Sequence, residues 1–143
     1  MTRVRRIIAA PLVVAALSAC QAASGYGGGN DANAGPGGDY RLVSKLVELP
    51  EFIPGMGRLY VQPDTLPAGP FLAYDRDGQH VSTIYMIPLD EMNDQSKWTG
   101  LAARGREVER VGVNYNPGHP GVNEPHYHIT LWHVPKQQAA LGS

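Results

Sequence analysis

Short apolar runs separated by turn residues are the feature that most constrains the fold of this chain. Between residues 57 and 134, runs rich in β-branched and aromatic residues, such as RLYV, FLAY, VSTIYMI, VGVNY and HITLW, alternate with Gly, Pro, Asp and Asn. Runs of this length and composition are typical of antiparallel strands. The sequence therefore predicts a small, single, mainly β domain with an antiparallel sheet, forming a sandwich or a partly closed barrel, with one or two short helices.

The individual strands can be placed by their turn signals. The segment FLAYDRDGQHVSTIYMI predicts a hairpin, with Asp75 to Gly78 as its turn and Gly78 at the position that needs a positive φ. EVERVGVNY and HYHITLWHV predict two further strands, and PLDEMN predicts a single helical turn between them and the hairpin. DYRLVSKLVELPEF fits a short helix, which its spacing favours, but it also fits a strand.

Residues 1–19 predict a lipoprotein signal peptide rather than a part of the fold. Arg3, Arg5 and Arg6 precede the apolar run IIAAPLVVAAL, which is too short to cross a bilayer as a helix. The next residues, LSAC, resemble a bacterial lipobox, in which the cysteine, here Cys20, is diacylated and becomes the first residue of the mature chain. The alternative is an ordinary secretory signal with Cys20 incidental. Because Cys20 is the only cysteine, an internal disulfide is excluded.

The remainder of the chain divides into a linker, a domain and a tail. Residues 20–39 are dominated by Gly, Ala, Asn and Ser and predict a flexible tether, residues 40–136 predict one domain, and residues 137–143 predict a disordered tail. The expected location is the bacterial cell envelope, with the membrane as partner through the lipid at Cys20. Gln21, rather than Asp, favours the outer membrane facing the periplasm if the source is Gram-negative.

Charge restricts the partners of the mature chain. All thirteen acidic residues but only nine of the twelve basic residues lie after the signal, which leaves a formal charge of about −4. This balance argues against nucleic acid and anionic lipid as partners of the folded domain. A protein partner remains open, and the sequence does not determine the oligomeric state.

The strand HYHITLWHV carries the residues of greatest chemical interest. Side chains alternate along a strand, so His126 and His128 share one face, roughly 6 to 7 Å apart at their Cα atoms, and their rings can converge on one ion. The other face is expected to be core and to comprise Tyr127, Ile129, Leu131 and His133. His119 and Glu124, in the preceding loop, are the candidate further ligands. Imidazole and carboxylate suit Zn²⁺ or Cu²⁺ better than Mg²⁺ or Ca²⁺. The alternative is a half-exposed sheet face whose histidines bond water or neighbours.

The segment VERVGVNYNPGHPGVNEPHYHITLWHV resembles the C-terminal signature of a poorly characterised family of bacterial envelope proteins. In that family a strand ends in N-x-N-P, a G-H-P loop follows, and the next strand begins P-H-[FYW]-D-x-H. The resemblance covers about residues 55–134 and implies an envelope location and a similar fold. This chain has His128 where the family has Asp, and Thr130 where the family has its second His. The family has no established activity, so the resemblance implies none.

These observations leave two classes of function. The first, which we prefer, is a non-catalytic envelope lipoprotein that acts as a binding domain, with a transition metal as candidate ligand, or as a structural or interaction domain. The alternative is a small envelope enzyme that uses His126 or His128 as a general base. No G-x-S-x-G elbow, H-E-x-x-H helix or phosphate-binding glycine loop is present, and no nucleophile can be named.

Overall fold

A computed structural model of the chain describes residues 35–93, 97–135 and 141. The predicted signal peptide, the lipobox with Cys20 and most of the tether lie outside the described residues, as does the predicted tail apart from Leu141. Within the part that the structure describes, no helix has the length and apolar character needed to cross a membrane.

The described residues form one six-stranded antiparallel sheet, which confirms the mainly β fold class. The strands are β1 (Arg41–Leu42), β2 (Arg58–Val61), β3 (Phe71–Tyr74), β4 (His80–Pro88), β5 (Arg110–Asn116) and β6 (His126–Trp132), and one short helix, α1 (Leu89–Asn93), follows β4. Two 3-10 turns lie at Val43–Lys45 and Pro63–Thr65. The spatial order is β1-β2-β3-β4-β6-β5, so β1 and β5 are edges and the sheet is not closed into a barrel.

The predicted hairpin joins β3 to β4. Asp75 is buried, and its carboxylate accepts hydrogen bonds from the backbone N–H groups of Asp77 and Gln79 at 3.0 and 2.8 Å. Gly78 has a φ of 76°, the left-handed conformation that the turn requires. The turn and both arms of the hairpin therefore match the prediction.

The main hydrophobic core lies on one face of the sheet. Val61, Phe71, Ile84 and Met86 project from β2, β3 and β4 into this core. The 3-10 turn at Val43–Lys45 and the loop before β2 cover this core. Residues 40–49 form a two-residue strand and a 3-10 turn, not the helix that the sequence favoured. Leu141, inside the segment predicted to be a disordered tail, is also buried in this core.

On the opposite face of the sheet, a smaller part is covered by other segments of the chain. Leu131 and Tyr85 are buried there, and the Tyr85 hydroxyl donates a hydrogen bond of 2.8 Å to the carbonyl of Ala102 in the connection before β5. Farther out on β5, three side chains are more than half exposed: Val111, Val113 and Tyr115.

The register of β6 corrects the predicted assignment of its two faces. His128 lies directly opposite Met86, and Thr130 lies opposite Ile84, so the histidine face is the one that meets the main core. On the other face, Tyr127 and Ile129 are only half buried, whereas Leu131 is buried. The period of two was right about which residues share a face, and the choice of the core face was wrong.

Candidate metal centre and its adjoining cavity

His126 and His128 project from β6, which is hydrogen-bonded to β4 on one side and to β5 on the other. His126 lies opposite Asn116 of β5, and His128 lies opposite Met86 of β4. A strand with partners on both sides cannot shift its backbone without breaking the sheet. The two rings are therefore held at a fixed spacing, and His126 is only 1% exposed.

The loop between β5 and β6 brings His119 back over this pair. His119 and Val122 exchange two backbone hydrogen bonds, of 2.8 and 2.9 Å, which close the loop. At its start, the side-chain oxygen of Asn116 accepts a hydrogen bond of 2.9 Å from the N–H of Gly118. Gly118 has a φ of +127°, and a Cβ there would lie 2.5 Å from the carbonyl oxygen of Asn123. A glycine is thus required at this position for the loop to present His119.

The three imidazoles meet at one point. The ring centroids of His126 and His128 are 4.9 Å apart, and that of His119 lies 4.9 Å from the first and 5.6 Å from the second. One potential ligand atom from each ring lies within 4.8 Å of the other two. Among the residues that the structure describes, this is the group of His, Cys, Asp or Glu side chains that could hold a metal ion.

Backbone carbonyls determine which nitrogen of two rings is available. His126 Nδ1 lies 2.7 Å from the carbonyl oxygen of Glu124, and His119 Nδ1 lies 3.0 Å from that of Pro120. A carbonyl only accepts, so each Nδ1 carries the proton and each Nε2 has a free lone pair when the ring is neutral. Metal-bound histidines in proteins are oriented by the same kind of bond from the non-ligating nitrogen.

The contact between the two strand histidines is the closest in the group. Their Nε2 atoms are 3.0 Å apart. Because Nε2 of neutral His126 is a lone pair, Nε2 of His128 donates the proton of this hydrogen bond. Zinc–nitrogen bonds of about 2.0 to 2.1 Å at a tetrahedral angle would place two ligand nitrogens about 3.3 Å apart. A metal ion between the two Nε2 atoms would need them a few tenths of an ångström farther apart, and the proton on His128 Nε2 would have to move to Nδ1 or be released to solvent.

The environment of His128 keeps its ring neutral. Burial, followed by the neighbouring rings of His126 and His119, lowers the pKa of His128 from 6.5 to about 4. The ring is accordingly neutral at pH 7, and only a neutral imidazole can donate a lone pair to an ion.

Three of the four predicted ligands come together in this group. Glu124 takes part through its backbone carbonyl, whereas its side chain is exposed and does not belong to the set of converging ligand atoms. Cys20, the predicted lipidation site, lies outside the described residues.

The other two histidines form a separate pair. Thr83 Oγ1 and His133 Nε2 are 2.8 Å apart, and His133 Nδ1 donates to the carbonyl of Glu107 at 2.8 Å. His80 packs against the His133 ring at 4.8 Å and hydrogen-bonds the carbonyl of Ser82 at 3.0 Å. Each ring has a backbone carbonyl as a hydrogen-bond partner and packs against the other, so we assign the pair a structural role.

A cavity of about 300 Å³ adjoins the group of three histidines. His119 and His128 are among the residues that line it, and Asn116 is the other polar residue there. The rest of the wall is apolar and includes Val43, Leu46, Val47, Phe71, Ile84 and Met86. The cavity gives no signal in the sequence, because the apolar residues around it are far apart in the chain and look like ordinary core.

Comparison with solved structures shows a clear similarity. The chain is similar to hypothetical protein TTHB210 from Thermus thermophilus, known from a crystal structure. The aligned residues are 41% identical, cover 66% of this chain and 90% of that one, and superpose with a TM-score of 0.57. No protein-family model matches the chain, and no curated protein matches it.

Proposed function

We propose that this chain, which belongs to the same family as the hypothetical protein from Thermus thermophilus, binds a transition metal ion, zinc or copper, through His119, His126 and His128. The observation that carries the proposal is the convergence of three imidazole ligand atoms within 4.8 Å of one another. Two backbone carbonyls that orient the rings of His119 and His126 support it further.

The proposed site resembles open metal sites more than closed structural ones. Structural zinc is almost always held by four protein ligands, whereas sites that exchange water or a ligand use three and keep one position open. Three converging histidines make a site of the second kind. We therefore propose a binding domain that holds a metal ion with an exchangeable fourth ligand.

A binding role is better supported than general-base catalysis. An effective base has a pKa near the working pH. His128, with a pKa of about 4, is a weak base at neutral pH, and its Nε2 is already engaged by His126. A neutral His128 ring can still donate a lone pair to a metal once its Nε2 proton has moved to Nδ1 or been released.

We propose that this domain works in the cell envelope, attached through a lipid at Cys20. The support for this location is the sequence: a basic start, a short apolar run and LSAC, followed by a Gly-rich tether. A metal-binding domain on such a tether would sample the space within roughly 25 Å of a membrane surface.

The proposal is tested by metal analysis of the full chain, produced without a polyhistidine tag. We expect about one equivalent of zinc or copper per chain after incubation and dialysis. Metal that binds only the folded state raises the melting temperature, by an amount equivalent to about 2.7 kcal/mol at a hundredfold excess over Kd. His119→Ala, in a loop, and His128→Ala should each abolish this increment.

His80→Ala is the matched control, because His80 is partly buried but contributes nothing to the group. It should lower the melting temperature of the metal-free protein and leave the zinc-dependent increment in place. No shift at micromolar zinc or copper in the wild-type protein, or an equal loss of the increment in all three variants, would show that the proposed site is wrong.

A further inference from the structure

We propose that the cavity beside the three histidines binds a small apolar carboxylate, whose head group becomes the fourth ligand of the metal and whose hydrocarbon part fills the cavity. This inference rests on the proposed metal site and adds the class of its ligand. Two residues, His119 and His128, belong both to the group of converging ligands and to the residues that line the cavity. A fourth ligand can therefore reach the ion from the cavity.

Charge determines what kind of head group is favoured. Three neutral imidazoles leave the charge of a divalent ion uncompensated, and Glu124 keeps its carboxylate outside the ligand group. No Asp, Glu, Lys or Arg is among the described residues that line the cavity. A bare double charge beside an apolar wall is unfavourable, so an anionic ligand on the metal is favoured over neutral water. The carboxylate displaces that water, and no other bond changes.

The wall determines what the rest of the ligand must be. Apart from Asn116 and the two histidines, the lining is made of aliphatic, aromatic, methionine, proline and glycine residues. Such a surface offers hydrogen bonds only near the metal, so polar groups elsewhere on a ligand would lose their bonds to water. A volume of about 300 Å³ is at the lower end of the range for small-molecule sites, which matches a short or medium hydrocarbon chain.

An entrance is also present. The cavity is partly open to solvent, and two of the residues that line it, Leu46 and Leu66, are 42% and 43% exposed. An apolar cavity that is open to solvent and has a few polar groups on one side is typical of a small-molecule site.

The experiment uses the full chain and first measures zinc binding alone, then titrates the zinc-loaded protein with straight-chain carboxylates of four to twelve carbons by calorimetry. We expect affinity to rise about fourfold with each added methylene until the cavity is full, and then to level off. The matched n-alkanols, which lack the anionic head, should bind at least tenfold more weakly. Metal-free protein should lose most of the carboxylate affinity.

Two exposed positions, one leucine and one methionine, provide the variants. Leu46→Asp adds a negative charge at the mouth and should weaken octanoate binding at least fivefold without changing zinc affinity. Met92→Asp, at a residue of similar exposure on α1 that does not line the cavity, should change neither. Zinc binding without chain-length dependence, equal affinity for alkanol and carboxylate, or equal affinity with and without zinc would overturn the inference alone. Absence of zinc binding would overturn the proposed function and this inference together.

Discussion

Replacement of Gly118 by alanine should weaken metal binding although it removes no ligand. The residue has a φ of +127°, and a Cβ there would meet the carbonyl oxygen of Asn123 at 2.5 Å. Holding a non-glycine residue in such a conformation costs about 1 to 3 kcal/mol. The metal-free loop can relieve this strain by moving His119 away, but the bound state requires the original loop. The strain therefore appears as lost affinity, equivalent to a Kd about 5- to 150-fold higher.

The assay is competition for zinc against a chromophoric chelator, with circular dichroism to verify that the sheet is intact. Gly100→Ala is the matched control: Gly100 also has a positive φ, of +77°, but nothing lies within 4 Å of its Cβ position, and it belongs to the connection before β5. This control should lower stability and leave the zinc Kd unchanged. Wild-type zinc affinity in folded Gly118→Ala protein would refute the reasoning that this loop positions the third ligand.

Two further predictions concern acid stability and attachment. Burial and the nearby His133 lower the pKa of His80 in the folded protein to about 4, whereas the ordinary value in an unfolded chain is about 6.5. Between these values, His80 binds a proton in the unfolded chain but not in the folded one. The free energy of unfolding should therefore be greatest above about pH 6.5 and fall as the pH is lowered towards 4. Because solvent screens the partly exposed ring, metal-free His80→Gln protein should lose about 1 to 2 kcal/mol less than wild type in urea unfolding between pH 7 and 4; equal losses would contradict this. Cys20→Ser should release the protein from the membrane fraction or leave the precursor uncut. Fractionation identical to wild type would show that the lipobox prediction is wrong.

The strands could be predicted because their signals are local. Alternating apolar residues and turn residues such as Gly78 act within a few positions of the chain, and β2 to β6 lie where those signals indicated them. The buried face of β6 was not predictable in the same way. The period of two groups Tyr127 with Ile129, but which face is covered depends on elements distant in the chain, and the core-facing side turned out to carry the histidines.

The candidate site, like the fold, could be predicted from the sequence only in part. His126, His128 and His119 could be selected because they lie within ten residues, on one strand and its adjoining loop. The cavity beside them could not be predicted, because its wall combines residues from Val43 to His128 that contact one another only in the folded sheet. Apolar residues that surround a space and those that fill a core have the same composition.

The strand order determines at what point of synthesis the sheet can be completed and the three histidines can come together. Strands β1 to β4 each pair with their neighbour in the chain, so they can form as a meander while synthesis proceeds. Among the described strands, β5 pairs only with β6, which follows it, and β6 is inserted between β4 and β5. While the chain is being synthesised, the sheet therefore stays incomplete and has unpaired strand edges until residues 126–132 have been made. Completion of the sheet brings the three histidines together, so a chain that ends before residue 126 lacks the proposed metal site.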